Sequence, residues 1–277
     1  MITSTVPSGP AARLDHVLAT SRAQQRAALG LYLPVNYPTR SASREALHAM
    51  AAHADLVELG VPHHRPHLDG PVIQQAVAQA LTGFQMRDLF ASAAELAAHS
   101  TAALLVMSYW EPIRAYGATA FAHMLADSGG AGALIPDLPP AAVPQWRAAA
   151  EAAGLHTVNL APPHASRARL ADLGSSTTGM LYAPATPGLT GNRGPLSPYL
   201  PRQVRRLREC TGLPVAVGIG LSTPDQASRV SLFADAAVVG SAVIRRMQAS
   251  PTAPAAAAAA AACDFAQAVR HGPPHAA

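Results

Sequence analysis

The sequence predicts a single (β/α)8 TIM barrel, an α/β fold, on three observations. The chain has 277 residues, close to the roughly 250 that one such barrel needs. Short apolar runs recur along it, bounded by Gly, Pro or Asp, as is typical of strands buried on both faces. Amphipathic stretches separate these runs, so strands and helices alternate, which indicates a parallel sheet.

The predicted elements follow one another without a break. The strands are expected over residues 29–35, 55–61, 103–109, 132–136, 156–161, 179–183, 214–220 and 236–240. Helices are expected over stretches such as 43–53, 71–81, 87–99, 118–128, 143–153, 198–210 and 224–232, with an extra helix before the first strand. Eight strand–helix repeats favour closure into a barrel. A doubly wound open sheet is the alternative, but no Gly-x-Gly-x-x-Gly motif follows the first strand.

One domain is predicted because no linker divides the chain. Residues 1–12 form a small, polar segment that we expect to be flexible. The barrel is expected over 13–249. Residues 250–277 are rich in proline and alanine, and predict a C-terminal helix followed by a disordered tail.

The composition excludes several function classes. All 20 basic residues are arginine, which excludes a lysine Schiff base and a phosphate-binding P-loop. No apolar run reaches the roughly 18–20 residues that span a bilayer, and no secretory signal is visible at the start. The two cysteines give neither a disulfide framework nor zinc-ligand spacing. We therefore expect a cytoplasmic protein.

Two clusters of basic residues have ordinary interpretations. Arg202, Arg205, Arg206 and Arg208 lie about one turn apart on a predicted helix, and a solvated helix face is favoured over nucleic-acid binding. The histidines of residues 63–67 lie on a loop, where adjacent side chains fix no ligand geometry. No metal, cofactor, nucleic acid or membrane partner is expected.

Two carboxylates are predicted at the mouth of the barrel, since barrel active sites lie at the carboxyl ends of the strands. Glu58 is a charged residue inside the apolar second strand, where burial without a partner is costly. Asp69 follows in the next loop, directly before Gly-Pro and a helix. A structural ion pair is the alternative for Glu58, and a helix N-cap or a turn residue is the alternative for Asp69. Together they favour proton-transfer chemistry.

A phosphate site is predicted where the last strands end. Gly220 and Gly240 close strands 7 and 8, and Ser241 opens a helix. Bare backbone amides and a helix N-terminus bind an anion without lysine. A glycine-rich loop at 187–194 follows strand 6. Tight turns are the alternative for any one glycine.

Three of the 13 aromatic residues fall near strand ends. Tyr32, Tyr109 and Tyr182 would suit a flat apolar substrate group if they lie at one rim, and barrel-core packing is the alternative.

Several motifs resemble the tryptophan synthase alpha subunit family. Glu-Leu-Gly-Val-Pro at 58–62 is followed by Asp-Gly-Pro-Val-Ile-Gln at 69–74. Further matches stand in the same order at 107–110, 116–117, 136–139, 188–191 and 239–242. The resemblance covers about residues 29–244. It implies a barrel lyase that cleaves indole-3-glycerol phosphate to indole and glyceraldehyde 3-phosphate by a retro-aldol reaction in tryptophan biosynthesis, without metal or Schiff base.

The resemblance also implies roles for individual residues. Glu58 would be the general acid/base at indole C3, Asp69 would bind the indole N–H, and Tyr182 would complete the catalytic set. The implied phosphate positions are Gly191, Gly220, Gly240 and Ser241. The implied indole pocket is Tyr32, Tyr109, Leu134, Leu160 and Ile219, and Thr190 would belong to the closing loop.

The sequence departs from the family pattern at several positions, and Arg65 lies on the loop that would face a beta subunit. Arg65 replaces an acidic residue, Asn36 replaces a glycine, Glu111 replaces an asparagine, and the loop after Gly191 looks shortened. A lost or weakened beta-subunit contact is expected. This favours a divergent, stand-alone lyase that releases free indole, as in specialised (secondary) metabolism. The alternatives are an alpha subunit dependent on a beta subunit, a weakly catalytic partner-binding homologue, and a barrel with another phosphorylated substrate.

Overall fold

A computed structural model describes residues 9–162, 165–185 and 194–271. Eight parallel strands form a closed barrel in chain order, and the eighth pairs with the first. They are β1 (Ala28–Pro34), β2 (Leu56–Gly60), β3 (Ala103–Met107), β4 (Gly132–Leu134), β5 (His156–Leu160), β6 (Leu181–Pro184), β7 (Val215–Gly218) and β8 (Ala236–Val239). The predicted fold class is confirmed, and each strand overlaps its predicted segment.

Helices form the outer layer of the barrel. They are α1 (Pro10–Ala23), α2 (Arg40–Ala51), α3 (Pro71–Ala80), α4 (Met86–His99), α5 (Trp110–Tyr116), α6 (Ala118–Asp127), α7 (Val143–Ala152), α8 (Arg167–Ser175), α9 (Leu200–Thr211), α10 (Pro224–Ser231), α11 (Ser241–Ala249) and α12 (Pro254–Arg270). A short 3-10 turn at Pro140–Ala142 precedes α7. None of the described helices is long and apolar enough to cross a membrane.

Several strands end earlier than the sequence predicts, and local geometry explains why. The third strand ends at Met107, and α5 begins at Trp110, whose N–H donates to Asp137 Oδ1 at 2.8 Å. The seventh ends at Gly218, because Ile219 and Gly220 have φ of 51° and 108°. These left-handed residues turn the backbone out of the sheet, so the chain lies across the barrel mouth.

Both terminal segments contribute ordered helices to the barrel. α1 begins at Pro10, inside the segment expected to be flexible, and buries Leu14 and Leu18 among the residues that fill the barrel interior. The polyalanine run forms most of α12, which packs against α2, α10 and α11. Its small side chains allow close helix packing, and Phe265 and Val269 anchor its second half.

Arginine–aspartate pairs hold the amino-terminal end of the barrel. Asp55, before β2, accepts from Arg26 Nη1 and Nη2 at 2.6 and 2.8 Å, and from Leu29 N at 2.8 Å. Asp235, before β8, accepts from Arg22 Nη2 and Arg208 Nη2, both at 2.8 Å. These arginine hydrogen bonds and that of Val215 N lower the pKa of Asp235, outweighing its burial, which raises it. One arginine of the predicted basic cluster therefore has a structural role.

Candidate active site

A cavity of about 300 Å³ opens at the carboxyl ends of the strands. Its described lining consists of Tyr32, Glu58, Leu68, Asp69, Ile73, Met107, Leu134, Pro136, Leu160, Tyr182, Pro184, Ile219, Gly220, Leu221, Val238, Gly240 and Ser241. The predicted carboxylates, the described phosphate positions and most of the predicted pocket residues thus meet in one space. Thr190 and Gly191 lie outside the described residues.

Glu58 projects from the middle of β2 into this cavity and is 3% exposed. Burial is the main cause that raises its pKa to about 8, and the charge of Asp69 raises it further. No described arginine or histidine forms an ion pair with it, so the structural ion pair is not found among those residues. At neutral pH this carboxyl group is mostly protonated and can donate a proton.

Asp69 lies in the loop between β2 and α3, where it is also 3% exposed. Gly70, not Asp69, is the N-cap of α3, so the N-cap alternative is wrong. Burial raises the pKa of Asp69 to about 6, while the Tyr109 hydrogen bond and the nearby His67 lower it. Asp69 is therefore mostly ionised at pH 7, next to a protonated Glu58. Unequal pKa values in one site are the arrangement that separates an acid from a base.

Tyr109 lies behind Asp69 and outside the described cavity lining. Its hydroxyl donates to Asp69 Oδ2 at 3.0 Å and accepts from Leu68 N at 3.0 Å. The rings of His63 and His67 lie against it, with centroids 5.3 and 5.2 Å away. Its role in the indole pocket stays a prediction, and the structure places its hydroxyl behind the carboxylate. The loop of residues 62–70 folds over this strand end, which strand position alone does not predict.

Tyr32 and Tyr182 line the cavity above bare glycine backbone. Methyl groups built on Gly60 and Gly240 would come within 2.5 Å of Tyr32 Oη and 2.9 Å of its Cδ1, too close for real atoms. A methyl group on Gly218 would overlap the Tyr182 hydroxyl. The glycines therefore make room for both rings. Burial, with the nearby carboxylates, raises both tyrosine pKa values, so both phenols stay neutral.

The end of the cavity opposite the carboxylates is formed by β7, β8 and the start of α11. Gly240 is the N-cap of α11 and Ser241 its first residue. Val243 N and Ile244 N both donate to Gly240 O, which leaves the amides of the first residues without an intrahelical acceptor. Gly220, with φ of 108°, brings bare backbone to the same end. This arrangement suits a phosphate group.

Apolar side chains cover the wall between the two ends. Leu134, Leu160 and Ile219, the predicted indole-pocket residues, line this wall. The sequence does not single out the other lining residues, which are Leu68, Ile73, Met107, Pro136, Pro184, Leu221 and Val238. Their positions at strand ends or beside Asp69 were the available signal, but an apolar side chain has no chemical signature of its own. The wall suits a flat aromatic group.

Of the departures from the family pattern, Arg65 lies on the loop of residues 62–70, and Glu111 lies beside His63 of that loop. His64, Arg65 and His67 are exposed, and His63 Nδ1 lies 3.7 Å from Glu111 Oε2. Asn36 has φ of 70°, a left-handed conformation that glycine adopts easily, which explains why the family usually has glycine at this position. The side-chain amide of Asn36 donates to Asp88 Oδ2 at 3.0 Å. In the described part of the chain, no group of three or more His, Cys, Asp or Glu side chains could hold a metal ion.

Comparison with known proteins gives one consistent result. The family described as tryptophan synthase alpha chain matches residues 18–270. The tryptophan synthase alpha chain of Streptomyces coelicolor is 40% identical over 267 residues, covering 95% of this chain and 98% of that one. That of Mycobacterium ulcerans is 39% identical, covering 87% and 90%. A tryptophan synthase structure from Mycobacterium tuberculosis superimposes with a TM-score of 0.86 at 36% identity, covering 94% and 99%.

Proposed function

The chain belongs to the tryptophan synthase alpha chain family, lyases that cleave indole-3-glycerol phosphate, and we propose that Glu58 and Asp69 carry out this cleavage in the cavity. The observation that supports the proposal is the pair of carboxyl groups on one wall, one mostly protonated and the other mostly ionised at pH 7. The apolar wall would hold the indole ring, and the glycine-rich end would hold the phosphate.

The proposed reaction needs no change in the net number of protons. Glu58 donates its proton to indole C3, and Asp69 accepts a hydrogen bond from the indole N–H and stabilises the cation that forms. The bond between C3 and the first glycerol carbon then breaks, and its electron pair restores the aromatic ring. The Glu58 carboxylate takes the proton of the adjacent hydroxyl as that carbon becomes the aldehyde. Indole and glyceraldehyde 3-phosphate leave, and Glu58 is again protonated.

Tyr182 is proposed to contact the substrate beside Glu58, since both line the cavity. Amides near Gly220, Gly240 and Ser241 are proposed to bind the phosphate together with Gly191, and Thr190 is proposed to belong to the closing loop. Inorganic phosphate should then compete with the substrate. Substitution of Gly240 is a poor test because a side chain there would displace Tyr32. Ser241→Ala instead removes a hydroxyl beside these amides without adding bulk, and if that hydroxyl also binds the phosphate, KM should rise several-fold with little effect on kcat.

We further propose that the chain acts without a beta subunit. The exposed loop carries Arg65 among histidines, and the acidic Glu111 faces His63. A partner surface that complements an acidic loop would meet a positive charge here, which weakens association. The second candidate is an alpha subunit that depends on its beta subunit, and the family membership itself favours it.

Steady-state kinetics distinguish the independent lyase from the dependent alpha subunit. Cleavage of indole-3-glycerol phosphate is measured with the purified chain alone and with a beta subunit from the same source. If the chain acts independently, it should release free indole at a useful rate. The beta subunit should then stimulate cleavage less than about tenfold, which corresponds to a coupling free energy of about 1.4 kcal/mol. Arg65→Asp restores the acidic position and should increase the stimulation. Strong stimulation of the unmodified chain would establish the dependent subunit instead. Absence of cleavage under both conditions would contradict the proposed chemistry.

A further inference from the structure

We propose that the hydroxyl of Tyr32 binds the glycerol hydroxyls of the substrate, so that Tyr32 selects a hydroxylated linker between the aromatic ring and the phosphate. The family resemblance assigns Tyr32 only to the indole pocket, where a phenyl ring would suffice. The inference rests on the proposed function of the same cavity.

The Tyr32 side chain extends along the cavity wall beside Glu58. Tyr32 and Glu58 are register partners on β1 and β2, and both line the cavity. The Cβ and Cδ1 of Tyr32 lie against Gly240, while its Oη lies against Gly60. The ring therefore extends from the phosphate end of the cavity to the carboxylate end.

The Tyr32 hydroxyl is available to a ligand in the cavity. No described residue forms a hydrogen bond with Tyr32 Oη, although the residue is only 6% exposed. Tyr109 differs, because its hydroxyl is occupied by Asp69 and Leu68. The oxygen atom is accessible from the cavity, and a neutral phenol can both donate and accept a hydrogen bond. A ligand that brings a hydroxyl to this wall would satisfy it.

The substrate has hydroxyl groups in the matching place. With indole C3 at Glu58 and the phosphate at Gly240 and Ser241, the glycerol carbons must cross the cavity between these ends. The Tyr32 side chain lies along that path. A site built to hydrogen-bond a substrate hydroxyl discriminates against an analogue without it, since the buried partner is then left unpaired.

Tyr32→Phe tests the proposal because it retains the ring over both glycines. The ligands are indole-3-glycerol phosphate and 3-(indol-3-yl)propyl phosphate, which lacks both hydroxyls. We expect kcat/KM for the first to fall about tenfold, the loss of one to two hydrogen bonds. The inhibition constant of the second should change less than twofold. Tyr199→Phe, at an exposed tyrosine, is the matched control and should change neither.

Equal losses for both ligands would show that Tyr32 acts through the ring or the fold, and would overturn the proposal. No loss for either ligand would also overturn it. Calorimetric binding of both ligands in the Glu58→Gln background gives the same comparison without turnover. Failure of the proposed cleavage therefore stays distinguishable from failure of the Tyr32 assignment.

Discussion

Carboxylates at the two ends of the barrel have opposite surroundings. At the amino-terminal end, Asp55 and Asp235 accept hydrogen bonds from arginines, and the pKa of Asp235 is lowered. At the carboxyl end, Glu58 and Asp69 face a cavity whose described lining contains no arginine, and their pKa values are raised. Both ends are largely buried, so the position of the arginines, not burial alone, makes the difference.

This contrast separates stability from chemistry. An aspartate that is paired with arginine stabilises the folded state when it is ionised. A buried carboxyl group without an arginine partner stabilises the folded state only while it is protonated. The carboxyl end therefore keeps groups whose ionisation destabilises the fold but which can transfer protons near neutral pH. Changes at this end should alter rate more than stability, and changes at the amino-terminal end should do the reverse.

The largest expected effect is that of Glu58→Gln. Loss of the general acid/base should lower kcat by at least about a hundredfold, while the fold, followed by circular dichroism, stays intact. Asp69→Asn should be similarly damaging. Glu151→Gln, at an exposed site on α7, is the control and should retain normal kcat. Activity of Glu58→Gln within a few-fold of the unmodified enzyme would rule out its assigned role.

Asp55→Asn should affect stability and leave the rate unchanged. It weakens the two Arg26 hydrogen bonds at the amino-terminal end, and we expect the free energy of unfolding to fall by about 2 kcal/mol. Urea denaturation measures this loss, with Asp172→Asn at an exposed site as the control. A large fall in kcat/KM with unchanged stability would reverse the comparison between the two ends.

The pH dependence of stability should also follow the carboxyl end. The folded-state pKa values of Glu58 and Asp69, about 8 and about 6, lie above the ordinary values of 4.5 and 3.8. Their stabilising contribution is complete below about pH 4 and is lost as the pH rises through 6 and 8. The slope approaches about 1.4 kcal/mol per pH unit for each titrating group. Urea denaturation should show a shallower decline for Glu58→Gln, and equal declines would contradict this.

Tyr109→Phe should have the smallest effect. The variant removes a hydrogen bond that lowers the pKa of Asp69, so the acidic limb of the kcat/KM profile should move to higher pH. We expect kcat at pH 7 to fall about fivefold, the value of one hydrogen bond of about 1 kcal/mol. An unchanged acidic limb would mean that Tyr109 only packs beside Asp69.

The sequence predicted the barrel and its strands well because buried parallel strands leave mostly apolar runs that Gly, Pro or Asp bound. Glu58 could be found for the same reason, as a charge inside such a run. Ser241 and Gly240 could be found because a helix start after a strand end has a recognisable pattern. These features depend on neighbours in the chain.

Features that depend on distant parts of the chain were not predictable in the same way. The place of Tyr109 behind Asp69 depends on how the loop of residues 62–70 folds over β3. The ring of Tyr32 reaches across two neighbouring strands to Gly60 and Gly240, which are far apart in sequence. The order of α1 from Pro10 depends on the burial of Leu14 and Leu18 in the barrel interior.

Carboxyl-carbon NMR titration of the uniformly labelled protein tests the contrast between the two ends most directly. Glu58→Gln, Asp69→Asn and Asp235→Asn would assign the three signals. We predict that the Glu58 carboxyl titrates near pH 8 and Asp69 near pH 6, while Asp235 titrates below its ordinary value of 3.8. Titration of Glu58 and Asp69 near pH 4, together with Asp235, would contradict the account.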